Sequence, residues 1–336
     1  MSRPEPSHIA LLLFAGLLAR PVEAQSGIRH VPRIERHELG LLAVTGDVVD
    51  GPRSSWITGL DQGPTGEPAS LGLRGAMQLM DDSALSDVSG TLSTQRAGWD
   101  LLLGRHFEDG GVLAFGLETE ASFYDFGGSG FGAGLSDPFN DVYESRLRGT
   151  VYRRLDSHTS FFAGGEIAFG SEDEAELASG VTAGASFGFG YRPSDALEVT
   201  FGIAGASRLE DDAYVLPFIG VDWCLTESTR LVAEGPEVRL EQDLGDTWEL
   251  QVLADYDLRQ FRLNDEGPTA GGAFRDEQID LGAGLYWQPG DAVRFGLEGG
   301  MTVWRELTLL ADGGASLGVT EVDPAPWIGI SLSATF

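Results

Sequence analysis

Glu118 and Glu120, Glu144, Arg146 and Arg148, and the single charges at Glu166, Glu198 and Arg208 are the residues whose type and spacing could do chemistry in this sequence. Each sits where apolar residues recur at every second position, and each falls on the opposite phase. Residues two apart on an extended strand share a face, so these acids and bases form ladders on a polar face. Facing ladders of opposite charge either pair and fill an interior, or line and constrict a path for ions. If such a path is open, the acid excess favours cations.

Other chemistry has few candidates. The histidines are His8, His30, His37, His106 and His158. None is placed beside Ser or Asp near the outer rim, where barrel hydrolases work, so the chain is not expected to be an enzyme. Acid clusters occur at Asp81 and Asp82, at Glu172, Asp173, Glu174 and Glu176, and at Asp211 and Asp212. They lack the spaced Asp, Asn, Gly and distal Glu of a calcium loop and read as solvated loops; no metal or cofactor is expected. The glycine-rich "FGGSGFGAG" from Phe126 has no following Lys and opens no helix, so it reads as a flexible loop rather than a phosphate cradle.

The elements that carry these charges are strands. Leu113, Phe115, Leu117, Ala121 and Phe123 alternate against Glu118 and Glu120; Phe161, Ala163, Ile167 and Phe169 follow the same rule. So do Val181 to Tyr191, Leu197 to Ile203, Trp248 to Leu258, Ile279 to Trp287 and Val293 to Val303. The chain ends on the same pattern, with Ile328, Ile330, Leu332, Ala334 and the terminal Phe336 on one face. Forty-seven glycines and 10% aromatic residues suit strands and turns. The single cysteine, Cys224, reads as a packed strand residue.

A soluble sandwich and a transmembrane barrel share this periodicity and differ in which face meets the surroundings. Three features favour the barrel. Ile9 to Ala19 is an apolar run of signal-peptide length, followed by a small-residue site at Ala24. Tyr191, Trp223, Trp248, Trp287 and Trp304 lie near strand ends, as interfacial aromatics do. The terminal residue is itself aromatic. Connections alternate between tight turns, "RPSD", "LTES", "LGD" and "QPGD", and long loops beginning at Asp125, Ser171, Leu263 and Ala311, the pattern of periplasmic turns and external loops. Parity requires a hairpin within Thr229 to Asp243, with "EGPE" at Glu234 to Glu237 as its turn. About fourteen strands result, with twelve as the alternative.

The net charge of -30, from 52 acidic and 22 basic residues, argues against nucleic acid as a partner. The expected organisation is a signal peptide over 1–24, a periplasmic or lumenal extension over 25–69 rich in proline, and a barrel over 70–336.

The stretches "LPFIGVDWCLTESTRLV" from Leu216, "VRLEQDLGDTWELQVLADY" from Val238 and "LGAGLYWQPGDAVRFGLEGGMTVWREL" from Leu281 resemble a family of bacterial outer-membrane β-barrels of unknown function. The closing "ISLSATF" is similar to the signal that barrel-insertion machinery reads. The resemblance implies the outer membrane as location, with lipid and that machinery as partners, and brings no reaction or catalytic residue. The reading from sequence is therefore an all-β, antiparallel up-and-down transmembrane barrel acting as a passive pore for small, cationic solutes. The alternative is a non-conducting barrel that displays acidic external loops.

Overall fold

The structure, a computed structural model, describes residues 69–336 apart from 87–88, 108–110, 129–137, 140 and 267–268. The expected signal peptide and extension lie outside the described residues, except Ala69, which opens the first strand.

Fifteen strands follow in order: β1 (Ala69–Ala84), β2 (Gly90–His106), β3 (Gly111–Gly128), β4 (Val142–Arg154), β5 (Thr159–Glu172), β6 (Val181–Ser194), β7 (Leu197–Arg208), β8 (Asp211–Cys224), β9 (Thr229–Glu234), β10 (Glu237–Asp243), β11 (Trp248–Arg262), β12 (Ala273–Trp287), β13 (Val293–Leu310), β14 (Ser316–Val322) and β15 (Ala325–Thr335). From β1 to β14 each pairs antiparallel with the next, as hairpin connections dictate. β14 and β15 are two lengths of one stave, because β13 pairs Arg305–Leu310 with the first and Val293–Thr302 with the second. β15 then pairs with β1, from Gly72 opposite Thr335 to Met80 opposite Trp327, and closes a barrel of 14 staves. Closure removes the free sheet edges that an open sheet would present.

The alternation sorts side chains as expected. Phe115, Leu147, Phe187, Phe201, Val252, Leu297 and Ile330 point outward and are exposed, whereas Arg96, Glu118, Arg146, Asp276 and Arg305 point inward and are buried. Each large apolar side chain left in water forgoes about 1.5–3 kcal/mol, so this exterior requires an apolar surrounding. At the tight-turn end Tyr191, Trp223, Trp248, Trp287 and Phe295 ring the outside, with Trp248, Trp287 and Phe295 stacked at centroid separations of 6.3 and 5.6 Å.

The strand β13 illustrates how register is preserved. Ile279 faces Trp304 while Asp280 faces Thr302, so Val303 is a bulge. That extra residue lets Thr302 and Arg305 both point inward although they are three apart.

Two local features depart from a regular cylinder. Thr229 to Asp243 is indeed a hairpin turning at Gly235 and Pro236, but its strands have only 6 and 7 residues beside neighbours of 14 and 15. In addition, the outer end of β11 leans across the barrel to β5, where Arg262 pairs in parallel with Ser171. Gly170 is needed there, since a Cβ on it would strike the carbonyl oxygen of Gln260.

The loop expected from Asp125 onward begins later, because β3 continues to Gly128. The flexible loop expected from Phe126 lies, beyond Gly128, outside the described residues. Phe139, at the far end of the connection, is buried inside the barrel.

Candidate functional site: the barrel interior

The interior is stacked in layers. At the long-loop end Leu92, Phe126, Phe139, Phe261, Phe274 and Leu309 belong to a dry cluster filling the barrel. Phe139 sits at its centre, its ring 4.1 Å from Phe274, 5.2 Å from Phe126 and 5.3 Å from Tyr124. Its neighbour Pro138 accepts a bond from Thr269 Oγ1, which ties the β3–β4 connection to the β11–β12 connection. An apolar layer of this kind excludes water.

Beneath the seal lies a buried ionic network centred on Asp276. Arg305 donates from Nε to Oδ1 at 2.9 Å and from Nη2 to Oδ2 at 2.8 Å, a bidentate pair. Arg96 Nη2 and the Tyr124 hydroxyl donate to the same Oδ2, each at 2.8 Å. Gln278 accepts from Arg96 and donates to Asp280, which also accepts from Thr302 at 2.5 Å. Arg259 extends the network to Glu120 at 3.1 Å and to Asp257. β2, β3, β11, β12 and β13 are thereby joined through side chains across the interior.

The residues expected to line the interior are found there, with one at its margin. Glu118 pairs with Arg148 at 2.6 Å, Glu144 with Arg146, and Glu166 lies 4.0 Å from Arg146. Glu198 holds Arg192 at 2.6 Å. Arg208 instead stands at the β7–β8 turn, 3.4 Å from Asp211 and over the Tyr214 ring. Sequence reasoning missed Arg96, Asp276 and Arg305, which are among the most deeply buried charges. Their positions on the polar phase were the available signal.

Toward the tight turns, large side chains lie over inward-facing glycines. A Cβ on Gly188 would overlap Phe162, one on Gly202 Phe218, one on Gly282 Trp327 and one on Gly284 Tyr286. The glycines make room for these inward rings. Between these rings and the ionic network remains a cavity of about 90 Å³ whose lining includes Arg74, Gln78, Asp100, Glu118, Glu298 and Trp327, space for about three waters. Among the described residues, buried side chains occupy the interior in each of these layers.

The five residues of the expected insertion signal share the outer face. Ile328, Ile330, Leu332 and Phe336 are exposed and Ala334 is half-buried. The backbone of Phe336 exchanges bonds of 3.1 and 2.8 Å with Leu71, and its ring is 65% exposed.

No family model matches the chain, and no curated protein does. Solved structures do resemble it. An outer membrane channel from Pseudomonas putida F1 matches at 10% identity over 82% of this chain and 98% of its own, with a TM-score of 0.45. The toluene transporter TodX of P. putida matches at 11% identity over 86% and 92%, TM-score 0.41. LpxR from Salmonella typhimurium matches at 11% over 78% and 99%, TM-score 0.34. At these identities and scores the likeness bears on neither solute nor mechanism.

Proposed function

We propose that the protein spans the bacterial outer membrane as a gated channel for small solutes, and that the conformation described is its closed state. The observation that carries this reading is the position of Phe139. The centre of the apolar seal is a side chain supplied by a loop connection, not by a stave, so it can leave without unzipping any strand pair. Behind it lie the cavity of about 90 Å³ and the charged layers. The outward apolar belt and its aromatic ring support the membrane setting. The 52 acidic against 22 basic residues support a preference for cations once the seal opens.

A second reading, a non-conducting structural barrel, is favoured by the aromatic rings packed over glycines toward the tight turns. Planar-bilayer recording of the refolded mature chain beside its Phe139→Gly variant separates the two. The channel reading expects rare brief openings in the parent and frequent cation-selective steps in the variant. A variant that keeps the folded barrel's gel mobility yet stays silent at all voltages would establish the structural barrel instead.

A further inference from the structure

The short β9–β10 hairpin leaves the outer half of the wall incomplete. β8 pairs with β9 only from Val221 to Cys224, and β11 with β10 only from Ala254 down to Glu249 and its partner Asp243. Above those points β8 has no strand partner on that side among the described residues, while β11 turns away toward β5. Five steps from Thr229 to Glu234, at about 3.3 Å each and tilted by about 40°, raise the hairpin roughly 13 Å. That is about half of a 25 Å apolar band. Val215, eight residues beyond the interfacial Trp223, stands roughly 20 Å above it by the same arithmetic, still within the band.

The gap is framed above as well. The β7–β8 turn leans over it and docks on the far side. Leu209 N donates to Gln260 Oε1 at 3.0 Å, Arg275 donates to Asp211 at 2.9 Å, and Gly313 N donates to Glu210 at 2.7 Å. The Leu209 side chain is buried with Ala273 and Leu310. The effect on β11 is measurable along one face. On its outward phase Val252 is 50% exposed, whereas Leu258, six residues on, is 4% exposed. The outward face of lower β11 is thus covered higher up and turned toward β6, β7 and β8, the region of the proposed side compartment.

The edge of β8 is built for such an opening. Pro217 lacks the N–H that an inner strand would need. Leu216 is on the inward phase yet 44% exposed, and Val215 beside it is 70% exposed. Irregular or unpaired backbone at membrane depth is tolerated where it lines a wet cavity. Polar atoms that would face one are present: Tyr214 Oη, Glu166 Oε2 and Arg208 Nε are buried without a hydrogen-bond partner. The Glu166 side chain is 11% exposed. Gly184 leaves the carboxylate its space, since a Cβ there would lie 3.1 Å from Oε1.

We propose that this gap is a lateral portal through which a small amphiphile, an apolar body carrying a hydroxyl or amine head, passes between the outer leaflet and the side compartment. Leu216 and Val215 receive the apolar body, and Glu166 with Tyr214 receives the head. The proposal rests on the membrane-spanning reading but not on axial conductance.

The test uses Leu216→Cys and Thr200→Cys in a Cys224→Ser chain reconstituted into phosphatidylcholine vesicles. Both side chains face inward, but Thr200 is 5% exposed between fully paired strands. Membrane-dissolved pyrene maleimide should label Leu216→Cys at least an order of magnitude faster than Thr200→Cys. Octylamine should slow that labelling, and adding Glu166→Gln should abolish the protection. Equal rates at the two positions, or no protection by octylamine, would overturn the proposal. So would a cross-linked dimer in the vesicles that covers the β8 edge. Failure to insert into vesicles at all would instead refute the membrane reading.

Discussion

Replacing Asp276 with Ala tests whether the interior is held by ionic pairing. Asp276 is fully buried and accepts four charged or phenolic hydrogen bonds, two from Arg305, one from Arg96 and one from Tyr124. At about 1.5–3 kcal/mol per bond to a charged group, simple addition gives roughly 6–12 kcal/mol, an upper bound because water will enter. Two guanidiniums, at 3% and 2% exposure, would be left without their shared counter-charge. Breaking a buried pair by removing one partner costs about 3–5 kcal/mol, and that is the expected loss. Urea unfolding in phospholipid vesicles, followed by tryptophan fluorescence and heat-dependent gel mobility, measures it. The companion variant Arg96→Met, Arg305→Met, Asp276→Leu removes all the charge together and should recover most of the loss. A cost below about 1 kcal/mol for Asp276→Ala would mean that the network is already hydrated, and the layered closed interior would be wrong.

Other perturbations follow from the same geometry. Gly300→Ala places a Cβ against the Leu281 carbonyl oxygen and the Trp327 ring, and should cost about 1–3 kcal/mol in the same unfolding assay. Phe336→Ser should sharply reduce assembled barrel in cells while leaving detergent refolding nearly unchanged, because the ring is largely exposed and the bonds to Leu71 run through the backbone; equal loss in both assays would make it a strand residue and not an address. The carboxyl of Glu210, on the β7–β8 turn, is held below the usual glutamate range by the Arg262 guanidinium and the Gly313 N–H. Its folded value is the lower one, so its contribution to docking is complete above the unfolded value of about 4.3 and is lost as pH falls through the folded value. Hydrogen exchange at residues 209–214 should therefore accelerate on acidification below about pH 4, and Glu210→Gln should flatten that response.

The outer surface was legible from the sequence, and the reason is geometric. A period of two assigns every strand residue to one of two faces, so the exposed stripe from Ile328 to Phe336 and the inward set Glu118, Glu144, Arg146 and Arg148 needed only counting. Parity required a hairpin within Thr229 to Asp243, and the turn residues of "EGPE" placed it at Gly235 and Pro236. What periodicity does not carry is the partner across the lumen. Arg96 and Asp276 are 180 residues apart, and nothing near either marks the other. The seal left a weaker trace. Phe261, Phe274 and Leu309 break the alternation by placing apolar groups on the polar phase, and "LTLL" at Leu307 to Leu310 is apolar on both faces. Phe139 left none, since its role depends on where a long connection returns.

The filled interior and the incomplete wall have one cause. Eight staves enclose a space that side chains just fill, while sixteen leave a channel, so a round barrel of 14 would be too wide to seal with the residues present. β11 solves this at the outer end by crossing to β5, which reduces the ring around Phe139 to the staves from β11 through β15 and β1 to β5. Strands β6 to β8 are then left outside that smaller ring. A full-height β9–β10 hairpin would keep β8 and β11 joined to the top and forbid the crossing. The shortness of Thr229–Glu234 and Glu237–Asp243 is thus the condition for the seal, and the lateral gap is its geometric consequence. Lengthening that hairpin by four alternating residues in each strand should therefore act on both features at once. It should slow lipid-side labelling at Leu216→Cys and, by pulling β11 back from β5, raise axial conductance. A lengthened hairpin that closes the gap while leaving the bilayer silent would separate the two and refute their common origin.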